Sequence, residues 1–217
     1  MFTSIDILIN EARWGVAMGD RFDKAISVFR KRGGMLRTRE AVREGIHPGT
    51  LYAMRDSGVV ERVSRGVYRL AEQVPLGNPD LVTVATRVPG GVICLISALA
   101  FHGLTTQIPH QVHLALPAGA RAPRVEHPPI RTYRFAGDAF TKGIEVHSLD
   151  GVDVRIYGPE KTLADCFKFR NRIGLDTAIE AVRFYRERGD VRVDDLMRYA
   201  SICRVSKVIR PYLEAIL

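Results

Sequence analysis

Residues 46–70 of this chain read IHPGTLYAMRDSGVVERVSRGVYRL. His47-Pro48 predicts the start of a helix, because proline is favoured at the first helical position, where its missing N–H is not needed. Gly58 predicts the end of that helix. The residues that follow alternate apolar and polar on both sides of Ser64-Arg65-Gly66, a pattern typical of two strands joined by a tight turn. We therefore expect a helix followed at once by a hairpin.

A further helix, a short strand and another helix are predicted just before this stretch. Residues 20–34 read DRFDKAISVFRKRGG, in which the apolar residues share one helical face and the paired glycines predict the end. The extended piece MLRT follows, and Thr38 is the expected N-cap of a helix that stops at Gly45. This order of elements predicts a winged helix-turn-helix over residues 20–72. Winged helices also serve as protein-interaction modules, so the order alone leaves that alternative open.

Positive charge is concentrated in the same region. Residues 30–69 hold ten Lys and Arg against four Asp and Glu, a balance of +6 within a total of +8 for the 217 residues. A basic balance by itself is compatible with nucleic acid, with an anionic membrane or with an ordinary solvated face. Its concentration on a winged helix favours double-stranded DNA as the partner.

The predicted DNA contacts follow from the way this motif docks. The second helix enters the major groove with its N-terminal residues toward the base edges, and other parts of the motif contact the backbone. Arg65, at the wing tip, is expected to enter the minor groove or to contact a phosphate. Tyr52 has the alternative of packing against the wing. The predicted DNA-binding residues are Arg37, Thr38, Arg39, His47, Thr50, Tyr52, Arg55, Arg62, Arg65 and Arg69.

A monomer that binds one short DNA half-site would have too little affinity and selectivity at physiological salt. We therefore expect a homodimer, or cooperative binding to repeated sites.

A second domain is expected after the winged helix. Residues 71–80, AEQVPLGNPD, contain two prolines and a glycine and predict a linker. Residues 78–217 then combine helical patterns, one helix being capped near Ser97, with four strand candidates: QVHLALP, IRTYRF, IEVHSL and VDVRIY. We predict a mixed α+β domain with a mainly antiparallel sheet and C-terminal helices. Residues 1–19 form an N-terminal extension in which residues 1–18 have the periodicity of an amphipathic helix.

Several features of the sequence predict a cytoplasmic protein. No apolar run approaches the roughly 20 residues that span a bilayer, and the first residues, MFTSIDILINEARW, lack the basic start of a signal peptide. The three cysteines lie far apart without a CxxC spacing, which is typical of reduced, buried thiols.

The sequence contains no familiar catalytic motif. A P-loop, a GxGxxG after a strand, a GxSxG and an HExxH are all missing. Asp150-Gly151 is better explained as a hairpin turn than as part of a metal site, and we expect no metal, no cofactor and no enzyme activity. The alternative is a nucleic-acid- or nucleotide-processing enzyme with a DNA-binding domain. Its candidate residues would be His102, His110, His113, Asp150, Asp153, Asp165 and Cys166.

Three long strings of the sequence resemble a known family. They read GGMLRTREAVREGIHPGTLYAMRDSGVVERVSRGVYRL, LGNPDLVTVATRVPGGVICLISALAFHGLTTQIPHQVHLALP and YGPEKTLADCFKFRNRIGLDTAIEAVRFY. They are similar to the AbiEi-type antitoxins of abortive-infection toxin–antitoxin systems, over about residues 21–217.

The resemblance implies a function for each domain. The winged helix would bind inverted repeats in its own promoter and repress the operon. The C-terminal domain would counter a nucleotidyltransferase-like toxin encoded next to it. Such systems are called type IV, in which the antagonism does not require a stable complex of the two proteins.

Overall fold

The computed structural model describes residues 21–72 and 78–217. The helix predicted within residues 1–18 and the central part of the predicted linker, residues 73–77, lie outside the described residues. The chain divides into two compact units between Gly77 and Asn78, with the short piece Asp150–Val152 assigned to the first.

The first unit has the predicted order of elements. A helix, α1, covers residues 21–31. It is followed by strand β1 (Met35–Arg37), helices α2 (Thr38–Arg43) and α3 (Pro48–Asp56), and strands β2 (Val60–Ser64) and β3 (Val67–Leu70). This is a winged helix-turn-helix, in which α2 and α3 form the helix pair and the β2–β3 hairpin forms the wing.

The three strands of this unit form one antiparallel sheet in the order β1-β3-β2. Its inner face and the helices enclose a small apolar core centred on Phe29, Leu51 and Met54, each of them 0% exposed. Leu51 and Met54 are three residues apart and therefore lie on the same side of α3, which leaves the opposite side of that helix to solvent.

The start of α2 differs from the prediction by one residue. Thr38 is the first helical residue and Arg37, with φ −78° and ψ 150°, holds the N-cap position. The carboxylate of Glu40 accepts a hydrogen bond from the backbone N–H of Arg37 at 2.9 Å, the Glu half of a capping box. The prediction of Thr38 as N-cap is thus wrong, since the side chain of Glu40 already satisfies the backbone there.

The second unit mixes helices and strands, which confirms the α+β class. All four predicted strands form. The elements are α4 (Pro79–Arg87), β4 (Val92–Ile93), α5 (Leu95–Phe101), β5 (Val112–Pro117), β6 (Ile130–Phe135), α6 (Asp138–Thr141), β7 (Ile144–Leu149), β8 (Val152–Tyr157), α7 (Pro159–Lys168), α8 (Arg170–Ile173), α9 (Leu175–Glu187), α10 (Val193–Ile202) and α11 (Ser206–Ile216).

The five-stranded sheet of this unit is mixed rather than mainly antiparallel. Its order is β6-β5-β4-β8-β7. The β4–β5 pair is antiparallel, whereas β4–β8 and β5–β6 are parallel. Parallel neighbours need a long crossover connection. The alternation of apolar and polar residues within one strand does not show whether that strand is joined to its neighbour by such a crossover.

The expected cap near Ser97 is also wrong, because α5 begins earlier, after Cys94. The hydroxyl of Ser97 instead joins α5 to β5. It accepts a hydrogen bond from the backbone N–H of His113 at 2.9 Å and donates one to the carbonyl oxygen of Gln111 at 3.4 Å.

Helix α7 lies in the middle of the second core. Every residue from Pro159 to Phe167 is buried. Two of them are charged, Lys161 and Asp165, both 0% exposed, and the Lys161 Nζ lies 2.5 Å from the Asp165 Oδ2. A buried charge of this kind is tolerated only when it is paired. Among the described residues, no helix is long and apolar enough to cross a membrane.

Candidate nucleic-acid interface

His47 begins helix α3 and caps it. Its Nδ1 accepts a hydrogen bond from the backbone N–H of Gly49 at 3.1 Å, and Pro48 occupies the first helical position, as predicted. A Cβ on Gly49 would lie 3.2 Å from this Nδ1, so the missing side chain leaves room for the capping imidazole. Because Nδ1 is the acceptor, a neutral His47 carries its proton on Nε2. His47, which is predicted to contact base edges, is therefore also the N-cap of α3.

The solvent side of α3 presents a large hydrophobic side chain, Tyr52, which is 47% exposed. The guanidinium of Arg55 lies over its ring, 5.4 Å from the centroid. Arg55 also forms an ion pair with Asp56 at 2.7 Å, and this carboxylate raises the pKa of the guanidinium. Thr50 is half-buried at the flank of the same helix.

The wing tip carries Arg65, which is exposed, and Gly66, whose φ is +73°. A left-handed φ of this kind is freely open to glycine alone. The register of the hairpin shifts between Arg62 and Ser64, and such a bulge bends and twists the strand before the tip. The backbone N–H of Thr38 donates to the carbonyl oxygen of Gly66 at 2.9 Å. This bond joins the wing tip to the first residue of α2.

The cations predicted around the wing fall into two groups. Arg39 and Arg62 are exposed and Arg37 is half-buried. Arg69, in contrast, is 7% exposed, and its Nε donates to the Glu61 carboxylate at 2.7 Å. Glu61 and Arg69 are direct cross-strand partners in the β2–β3 ladder. The structure thus places Arg69 in a cross-strand ion pair with Glu61, and its side chain is buried, unlike those of the exposed cations.

Two further cations lie close to α3 and were not among the predicted contacts. An open groove of about 790 Å³ separates α1 from the N-terminal turn of α3. Arg21 and Lys24 of α1 line it together with His47 and Thr50. Their spacing is that of one helical face, but nothing in the sequence indicated that this face borders α3.

The groups considered for an enzyme lie in the second unit, except Asp150, which belongs to the short piece assigned to the first unit. Asp165 pairs with Lys161, and burial raises the pKa of the Cys166 thiol well above its usual range. Asp150 and Gly151 form the predicted turn between β7 and β8, both with positive φ. Within residues 21–72 and 78–217, no three His, Cys, Asp or Glu side chains are grouped so that they could hold a metal ion.

Comparison with known proteins connects the first unit to one family. Residues 23–71 match the family model described as "Transcriptional regulator, AbiEi antitoxin", which confirms the resemblance for the first of the three strings. These residues cover the winged helix-turn-helix almost completely. No curated protein matches the chain.

A solved structure has a similar fold along most of the chain. The crystal structure of the RV2827C protein from Mycobacterium tuberculosis superposes with a TM-score of 0.54 and 15% sequence identity. The match covers 91% of this chain and 80% of that protein. At this identity the comparison supports the fold and carries nothing about function.

Proposed function

We propose that this chain, whose residues 23–71 match the AbiEi antitoxin regulators, is a DNA-binding antitoxin that represses its own toxin–antitoxin operon. The observation that carries the proposal is the bond between Thr38 and Gly66. It joins the exposed wing tip, which carries Arg65, to the first residue of the helix pair.

Each part of the winged helix-turn-helix has a role in the proposal. The N-terminal turn of α3 enters the major groove, where His47, Thr50 and Tyr52 face the bases. Arg65 contacts the minor groove or a phosphate beside it. The remaining phosphate contacts come from Arg37, Arg39, Arg55 and Arg62, with Arg21 and Lys24 beside α3. Arg69 is left out of this set, because its guanidinium binds Glu61 within the sheet.

A fluorescence anisotropy titration of the full chain with its own promoter fragment tests the proposal. About four to six neutralised phosphates per subunit predict a slope of log K against log salt near −4 to −5. We expect Arg65→Ala and Arg39→Ala to weaken binding and to make this slope shallower. Arg32→Ala is the matched control, because Arg32 is an exposed cation of the same unit that pairs with Glu44. Equal affinity for promoter and scrambled DNA would refute the proposed repressor.

The second unit, on the same proposal, counters a nucleotidyltransferase-like toxin, an antagonism that does not require a stable complex of the two proteins. Co-expression of the full chain with the toxin encoded beside it tests this part separately. The variant Arg39→Ala with Arg65→Ala should lose repression of a promoter reporter and still protect the cells. Loss of both properties would show that antitoxin action depends on DNA binding.

A further inference from the structure

Two buried polar atoms of the second unit have no hydrogen-bond partner among the described residues, and they belong to neighbouring rings. They are the hydroxyl oxygen of Tyr133 and the Nδ1 of His113, neither of which has a hydrogen bond among the described residues. Tyr133 is 0% exposed and His113 is 3% exposed, and their ring centroids are 5.3 Å apart. Leaving such a group unsatisfied is costly, so two of them on neighbouring rings call for an explanation.

Two arginines converge on the same tyrosine. The guanidinium of Arg131 lies 5.7 Å from the Tyr133 ring centroid, and that of Arg172 lies 5.8 Å from it. They come from different elements, Arg131 from β6 and Arg172 from α8. Both side chains belong to exposed residues, and neither has an ion-pair partner within residues 21–72 and 78–217.

The strand register explains why these groups meet. His113 on β5 is the direct partner of Arg131 on β6 in the parallel ladder. Partners in a ladder point to the same face, and Tyr133 follows Arg131 by two residues on that face. Helix α8 then brings Arg172 to the same ring. The cluster is therefore produced by the sheet and one short helix.

The protonation states of His113 and Tyr133 leave this cluster with several hydrogen-bond donors. Burial first, and then the charge of Arg131, lower the pKa of His113 to about 4, so the imidazole is neutral at pH 7. Burial raises the pKa of Tyr133, which keeps its hydroxyl protonated. The cluster thus offers two permanent cations and a phenol O–H. Among the described residues, no carboxylate is a cause of either shift.

We propose that Tyr133, His113, Arg131 and Arg172 bind a phosphate-type oxyanion. Guanidinium groups match the geometry of phosphate oxygens and bind them in pairs of hydrogen bonds. The same anion would accept a hydrogen bond from the Tyr133 hydroxyl. The ligand is free phosphate or the phosphate group of a small phosphorylated molecule such as a nucleoside monophosphate. This inference is independent of the proposed DNA binding, which concerns the other unit.

Isothermal titration calorimetry on the full chain tests the site, with inorganic phosphate and a 5′-nucleoside monophosphate as probes and ionic strength held constant with NaCl. We expect Arg131→Gln and Arg172→Gln each to weaken binding about tenfold or more, as for the loss of a charge-assisted hydrogen bond. Tyr133→Phe removes only the hydroxyl and should weaken binding by a smaller factor. Arg134→Gln is the matched control, because Arg134 is exposed on the same strand and points to the opposite face of the sheet.

The outcomes separate the possible sources of the anion. Tighter binding of the nucleoside monophosphate than of phosphate identifies a nucleotide, and equal binding identifies the phosphate group alone. The proposal is overturned if the wild-type protein shows no saturable binding at millimolar concentrations, as expected if one buried water satisfies both atoms. It is overturned equally if the arginine variants bind phosphate like wild type, which would mean an adventitious ion only.

Discussion

The backbone N–H of Thr38 donates a hydrogen bond to the carbonyl oxygen of Gly66 across 28 residues of sequence, at 2.9 Å. Thr38 is the first residue of α2, and Gly66 completes the turn of the wing. Strand β3 pairs with β1 as far as Arg37 and Val67, and this bond continues that pairing to the turn of the wing. Here the tip is held as well, which limits the positions that the Arg65 side chain can reach.

A single substitution removes this bond without disturbing the helix. Thr38→Pro deletes the N–H at the first helical position, where proline is favoured, and Arg37 already has the extended conformation that a residue before proline requires. We expect a loss of about 1 kcal/mol in the free energy of unfolding, the typical net value of a hydrogen bond. Amide hydrogen exchange should become faster in residues 64–67, as measured by mass spectrometry or NMR.

Thr38→Ala is the control for this variant, because it keeps the N–H and removes only the long 3.4 Å contact between the hydroxyl and Gly66. Its exchange rates in the wing should stay close to wild type. If Thr38→Pro left exchange in the wing unchanged, the bond would not restrain the tip.

The capping role of His47 and its proposed contact with DNA can be tested separately. Asparagine is among the best N-cap residues, so His47→Asn should keep the stability of the protein and weaken promoter binding. His47→Ala should lose about 1 kcal/mol of unfolding free energy in addition, because the N–H of Gly49 then has no acceptor. Urea denaturation measures the first quantity and fluorescence anisotropy the second. Equal stability of the two variants would contradict the capping role.

Local patterns predicted most elements of this fold. Proline before α3, glycine in the wing turn and alternation in the four strands of the second unit each report on a few adjacent residues. The α3 N-terminus, the wing and the basic character of the first unit could therefore be predicted. The N-cap of α2 was misplaced by one residue because Thr38 is a good cap by type, whereas Glu40 satisfies the backbone from inside the helix.

The parts of the site that could not be predicted depend on contacts between distant residues. Arg69 looked like the other wing cations until the ladder register placed it opposite Glu61. The proximity of Arg21 and Lys24 to α3 requires the packing of α1. Likewise, Lys161 and Asp165 have the spacing of an ordinary surface pair, and only the tertiary fold buries them.

The buried pair in α7 predicts an asymmetry between single and double substitutions. Lys161→Met leaves the carboxylate of Asp165 without its cation in an apolar core, and we expect a loss of about 3–5 kcal/mol in unfolding free energy. Changing both residues, to Lys161→Met with Asp165→Leu, should recover much of that loss, because no charge stays buried. Urea denaturation measures both values.

Arg198→Ala is the control for these variants, since Arg198 pairs with Asp195 at 2.8 Å but has 62% of its side chain exposed. It should change stability little. A double variant no more stable than Lys161→Met would show that the pair contributes through specific geometry, and would contradict the charge argument.

The thiol of Cys203 predicts a loss of stability at alkaline pH. It donates a hydrogen bond to the Asp165 carboxylate at 3.1 Å, and burial, followed by the charge of Asp165, raises its pKa to about 12. An unfolded cysteine has a pKa of about 8.5. The folded state therefore retains a proton that the unfolded state releases. The stabilisation is fully present below pH 8.5 and is lost as the pH rises from about 8.5 to 12.

Between pH 8 and 10, this group alone should lower the unfolding free energy by about 1–2 kcal/mol. Cys203→Ser keeps a hydroxyl donor for Asp165 but does not titrate in this range, so its unfolding free energy should fall less over the same interval. Urea denaturation of both proteins at pH 8, 9 and 10 gives the comparison. Parallel curves for Cys203→Ser and wild type would show that the alkaline loss arises elsewhere, with the thiols of Cys94 and Cys166 as the next groups to test, since burial raises the pKa of both.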